Sequence, residues 1–131
     1  MGHLGLTPQS IHQLGGFKVQ GKTADTKSQI LSAALKLEEL GAFAVVLECV
    51  PAALAREISE ALTIPTIGIG AGPDTDGQVL VLHDMLGLNS EFSPKFLRKF
   101  VDGNKIFSEA VGNFHTAVAQ GEFPNVSESY E

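Results

Sequence analysis

The sequence has no tryptophan, one tyrosine and one cysteine, Cys49, and these scarcities exclude several protein classes at once. A single thiol cannot build an intramolecular disulfide framework, so the expectation is a reducing compartment, cytoplasmic, with the thiol buried rather than reactive. Basic residues are also few: 9 Lys plus Arg stand against 15 Asp plus Glu, a formal net charge of −6. That balance provides no basic footprint for nucleic acid. No apolar run approaches the ~20 residues a membrane span needs. Met1 leads into Gly-His-Leu-Gly-Leu without the charged n-region and apolar stretch of a targeting segment. Charged residues at 18% are too sparse, and hydrophobic ones at 44% too frequent, for a disordered chain. What remains, at 131 residues, is enough chain for one ordinary domain with its own core.

Short apolar runs alternate with longer helical patterns, the rhythm of βα units around a parallel sheet. The first run is Gly2 to Leu6; Thr7-Pro8 then starts a brief helix to Leu14, which Gly15-Gly16 stops. Phe17 to Thr23, FKVQGKT, reads as a loop. Ile30, Leu31, Ala34, Leu35, Leu37 and Leu40 recur at helical spacing with Lys36, Glu38 and Glu39 opposite, predicting an amphipathic helix that ends at Gly41. Ala44 to Leu47 is continuous and uncharged, as in a strand buried on both faces. Pro51 opens a second helix with a stripe at Leu54, Ile58 and Leu62. Thr66 to Ile69 is a third strand and Val79 to Leu82 a fourth. From about Ser93 to Gly121 the pattern is helical, although Gly103 and Gly112 weaken its continuity. The closing NVSESYE reads as a polar tail.

In βα folds reactive groups gather at the C-terminal ends of strands and in the loops that follow, where the sheet is open. His3, Glu48, the GIGAG turn (Gly68 to Gly72) and His83-Asp84 are all expected at or near such ends. Glu48 closes an apolar strand, and a carboxylate so placed is partly desolvated, which suits a general base or acid. The structural alternative is a cap on the next helix or a pair with a lysine. His3, among glycines, either hydrogen-bonds a substrate oxygen or is held by backbone carbonyls. GIGAG resembles phosphate-cradling turns but lacks the full G-x-G-x-x-G pattern, so close backbone approach is the favoured reading. His83-Asp84 has no third ligand at metal spacing. Lys18 and Lys22 either meet an anion or are solvated, and the Phe-rich C-terminal stretch is core or subunit contact.

Three long motifs in order, GHLGLTPQSIHQLGGFKVQGKT, LECVP and IPTIGIGAGPDTDGQVLVLHDMLG, resemble the ketopantoate hydroxymethyltransferase family from Gly2 to about Pro124. The resemblance implies a parallel (β/α)8 barrel of the phosphoenolpyruvate/pyruvate superfamily, of which this chain carries only strands five to eight and their helices. By that reading residues 1–124 are the C-terminal half of the barrel and 125–131 the tail. The implied reaction moves a hydroxymethyl group from 5,10-methylenetetrahydrofolate to 3-methyl-2-oxobutanoate, giving 2-dehydropantoate, with Mg²⁺ assisting. The glutamate of LECVP passes the role of proton acceptor to Glu48, and the histidine of GHLGL passes substrate contact to His3. In the family the metal-binding carboxylates lie on the first four strands, so no metal ligand is assigned here. The chain alone is then expected to be inactive. Its implied partners are the oxo acid, the folate, and either other copies of itself, as in the family's decamers, or the missing N-terminal half-barrel; nucleic acid and membrane are not expected. The competing readings are a catalytically silent half-barrel fragment, non-functional or kept as an interaction partner, and another lyase or mutase of the superfamily acting on 2-oxo acids.

Overall fold

Four parallel strands, paired in chain order, organise the first part of the molecule: β1 (Gly2–Gly5), β2 (Val45–Glu48), β3 (Thr66–Ile69) and β4 (Gly77–Gln78). The structure, a computed structural model, describes residues 1–13 and 15–130. It divides into two units, Met1–Leu80 and Val81–Glu131.

In the first unit, β1 and β2 are joined through α1 (Ala24–Glu39), and β2 and β3 through α2 (Ala52–Ala61). The start of α1 is fixed by reciprocal bonds: Thr23 Oγ1 accepts from the Thr26 amide, and Thr26 Oγ1 accepts from the Thr23 amide. This satisfies donors that a helix N-terminus otherwise leaves unpaired. The expected stop at Gly41 is present, with φ at +86°. Pro51 sits one residue before α2, as its N-cap, and leaves Leu54, Ala55 and Ile58 facing inward.

The core follows from strand alternation. Val45 and Leu47 of β2 are fully buried with Leu54, Ala55 and Ile58 of α2 and Ala34 of α1. Val46 and Glu48, on the opposite face, keep partial exposure, and β3 repeats the pattern with Thr66 and Gly68 buried and Ile67 and Ile69 partly exposed. The expectation that β2 is buried on both faces is therefore corrected: α1 and α2 pack on one face only. The buried hydroxyl of Thr66 is satisfied by Ser59 Oγ and the Asp76 carboxylate. The Asp76 carboxylate also accepts the Thr66 amide, and these bonds, the amide's foremost, hold its carboxyl below the usual range.

Two further expectations change. The fourth strand is Gly77–Gln78 rather than Val79 to Leu82, and α3 (Leu82–Met85) begins where that run was to end. The Val79 amide makes a last bond to Gly68 O, but Gly70 takes φ +64° and turns the chain after β3 away, so the ladder has no further partner. Exposed Val79 and Val81 reflect that loss. The brief helix after Thr7 is a 3₁₀ turn, Pro8–Ser10; its expected end at Leu14 lies outside the described residues.

In the second unit, helix covers only α4 (Gly103–Ala119) of the expected Ser93 to Gly121. Gly103 is its first residue, after Asp102, whose carboxylate accepts the Lys105 amide as an N-cap. Gly112 lies in the interior without breaking the helix. Of the two readings of the Phe-rich stretch, core packing is not observed among the described residues: Phe107 and Phe114 are both more than half exposed. Among the described residues no helix is long and apolar enough to cross a membrane.

Candidate active site

The strand register brings two of the sequence-predicted residues together. Glu48 lies level with Gly5 of β1 and Ile69 of β3, and His3 lies level with Val46. Strand alternation puts His3, Val46, Glu48, Ile67 and Ile69 on the face opposite the helices. There His3 Nε2 and Glu48 Oε2 are 2.9 Å apart, with the side chains 33% and 17% exposed. A half-buried carboxylate joined to an imidazole can accept a proton and pass or share it within one hydrogen bond. The alternatives weighed for Glu48, a helix cap or a lysine partner, are not what its side chain does here.

The chain turns sharply just past this pair. Leu6 N donates to Glu48 O at 2.8 Å, Cys49 N to Ile69 O at 2.9 Å, and Gln20 N to Cys49 O at 2.9 Å. The ends of β1, β2 and β3 and the loop after residue 16 thus converge on two consecutive peptide units. Gly5, at φ +91°, permits the approach: a Cβ there would lie 2.1 Å from Glu48 O. Cys49 also takes a left-handed conformation, φ +49°, although it carries a side chain. Its thiol is buried, and burial first, then the Glu48 charge, pushes its pKa up. That agrees with a structural rather than reactive thiol. A cavity of about 310 Å³ opens beside His3, with Thr7, Gln20, Thr26 and Gln29 in its wall. Glu48 does not line it, so the cavity adjoins the pair without containing it.

The other candidate residues fall elsewhere. In the GIGAG turn the glycines serve close approach, as expected. A Cβ on Gly68 would meet Thr75 Oγ1 at 2.6 Å, and one on Gly72 would meet Ala52 Cβ at 2.4 Å. His83 and Asp84 belong to α3 in the second unit rather than to a strand end. Lys18 and Lys22 are exposed. Among the described residues no three His, Cys, Asp or Glu side chains converge in a way that would hold a metal ion. Cys49 and Gln20 were not singled out from the sequence as parts of this arrangement. The available signal was the apolar spacing, which places Val45 and Leu47 on one face and then skips to Val50 instead of Cys49.

Comparison with known proteins bears on this geometry. The family model described as ketopantoate hydroxymethyltransferase matches residues 1–126. The chain is 59% identical over 130 residues to the 3-methyl-2-oxobutanoate hydroxymethyltransferase of Bdellovibrio bacteriovorus, covering 99% of this chain and 49% of that relative. It is 56% identical over 130 residues to the Legionella pneumophila protein of the same name, covering 50% of it. It is also 50% identical over 131 residues to that of Francisella tularensis subsp. tularensis, again covering 50%. The chain thus spans about half the length of the curated relatives it matches.

Proposed function

Because the chain belongs to the ketopantoate hydroxymethyltransferase family, we propose that it is the base-bearing half of a (β/α)8 barrel, strands five to eight, for hydroxymethyl transfer from 5,10-methylenetetrahydrofolate to 3-methyl-2-oxobutanoate. The observation that carries this reading is the His3–Glu48 pair, 2.9 Å apart, which joins the C-terminal residue of β2 to a residue within the neighbouring parallel strand β1. In this reading Glu48 removes the C3 proton of the oxo acid and the electron pair moves into an enolate; that carbon bonds to the one-carbon unit of the folate, both C–N bonds of that unit break, water supplies the hydroxyl, and tetrahydrofolate leaves with the two protons released, giving 2-dehydropantoate. His3 holds the carboxylate and meets the substrate. Closure with four further strands would turn the half-exposed face of Val46, Glu48, Ile67 and Ile69 into a barrel interior, and the polar end of 125–131 would remain a tail. That closure comes from the complementary half or, as the second arrangement, through self-association.

The family resemblance implies Mg²⁺. The residues here do not form its site: Glu48 is engaged by His3, and among the described residues no group of three potential ligands exists. In this reading its ligands lie outside this chain. The half-length match also supports a second reading, a silent fragment.

The test is deuterium exchange at C3 of 3-methyl-2-oxobutanoate, with this chain alone and with the N-terminal half of a relative added. The chain alone should exchange and transfer at background rate, and the mixture above it. Glu48→Gln should abolish exchange in the mixture with substrate binding nearly intact. Exchange that survives Glu48→Gln refutes the assignment of the base, and a mixture that stays at background favours the silent fragment.

A further inference from the structure

We infer that Cys49 is a positioning residue whose left-handed backbone ends strand alternation one residue beyond Glu48, directing Val50 into the core and leaving the carboxylate open on the face it shares with His3. Along β2, alternation assigns Val45 and Leu47 to the helix-covered face and Val46 and Glu48 to the other. Continued for two more residues, it would put Val50 on the open face next to Glu48. Val50 is instead 2% exposed and belongs to the same core cluster as Val45 and Leu47. The change of side occurs at Cys49, which has φ +49° and is, among the described residues, the one non-glycine with positive φ.

Such a conformation is disfavoured for any residue with a Cβ, so the surroundings must hold it. They do so from three directions: Cys49 N–H is bound by Ile69 O, Cys49 O by Gln20 N–H, and the preceding Glu48 O by Leu6 N–H. Val50 also packs where Gly5 has no side chain: a Cβ on Gly5 would come within 2.8 Å of Val50 Cγ1. The strain at Cys49 thus keeps a valine from covering the carboxylate. The catalytic meaning of this arrangement rests on Glu48 being the base; the arrangement itself does not, and it is tested without turnover.

The test uses the full chain labelled with ¹⁵N-histidine, the His3 signal being assigned as the one lost in His3→Gln. Glu48→Ala gives its position when the pair is broken. Cys49→Gly and Cys49→Ala, both able to hold the left-handed turn, should keep the wild-type His3 position. Cys49→Val should move it to the Glu48→Ala position while the Leu47 amide stays protected from exchange, because a β-branched residue leaves the left-handed region. Unfolding should favour Cys49→Gly over Cys49→Ala by about three- to tenfold in the folding constant. A folded Cys49→Val with an unmoved His3 signal overturns the inference, as does a Cys49→Gly whose signal moves. Should Cys49→Val not fold, the glycine–alanine pair decides: equal stability overturns the inference and the expected difference supports it. If only the exchange experiment on the oxo acid fails, the proposed chemistry is wrong and the positioning stands.

Discussion

Replacing Gly5 by alanine tests how closely the ends of β1 and β2 must approach. At this position φ is +91°, and the added Cβ would fall 2.1 Å from Glu48 O and 2.8 Å from Val50 Cγ1. The left-handed conformation alone costs a Cβ-bearing residue about 1–2 kcal/mol. Overpacking against a backbone carbonyl that cannot rotate away adds about 1–3 kcal/mol. Parting the strands would also lose the Leu6 N–H bond to Glu48 O, 2.8 Å long, a loss of about 1 kcal/mol. The expected total is about 3–6 kcal/mol, a large share of the roughly 5–15 kcal/mol that holds a typical domain. Gly41→Ala is the control. Gly41 has φ +86°, but nothing lies within 4 Å of its Cβ position, so only the conformational cost applies, about 1–2 kcal/mol. In urea melts followed by circular dichroism, with a slope of about 1 kcal/mol per molar for so small a unit, Gly41→Ala should lower the midpoint by about 1–2 M. Gly5→Ala should lower it by about 3–6 M, which unfolds in buffer a unit whose stability lies at the low end of the typical range. Equal midpoints for the two variants would refute the close approach and, with it, the account of how Glu48 is placed.

Two further outcomes follow from the packing and from the carboxylates. Leu54→Ala empties a side chain that is 1% exposed at the centre of the core; the unit should lose about 2–5 kcal/mol, read from the same urea melts. Glu38 is held below the usual carboxylate range by the Thr63 hydroxyl first, then by the Thr63 and Ile64 amides, and Asp76 by the Thr66 amide first, then its hydroxyl. Because both folded-state values are depressed, their stabilisation is complete above the unfolded values near pH ~4 and is lost as pH falls through the folded ones. Glu38→Gln and Asp76→Asn should therefore show a flatter acid limb than wild type in thermal melts taken from about pH 5 to 2. An unchanged acid limb would contradict the bonding described.

Much of the first unit was legible in the sequence, because its signals are local. The helical spacing of Ile30 to Leu40, the stop at Gly41, the stripe at Leu54 and Ile58, and the run Thr66 to Ile69 correspond to α1, its cap, α2 and β3. The run Val79 to Leu82 misled because strand propensity needs a partner ladder, and β3 supplies one only as far as Gly68. The Ser93 to Gly121 pattern misled because apolar spacing does not reveal where a helix starts; the Asp102 cap places that start at Gly103.

The sequence by itself determined the parallel α/β character, the family and the presence of Glu48 and His3, since motif, periodicity and composition are all properties of neighbours along the chain. Only the tertiary structure decided that these two side chains, 45 positions apart, meet at 2.9 Å. That depends on the register of β1 against β2, which no local pattern encodes. It also decided that Val50 turns into the core instead of standing beside Glu48. The cause is a left-handed cysteine held by hydrogen bonds from three separate segments, a conformation that its own residue type would not choose.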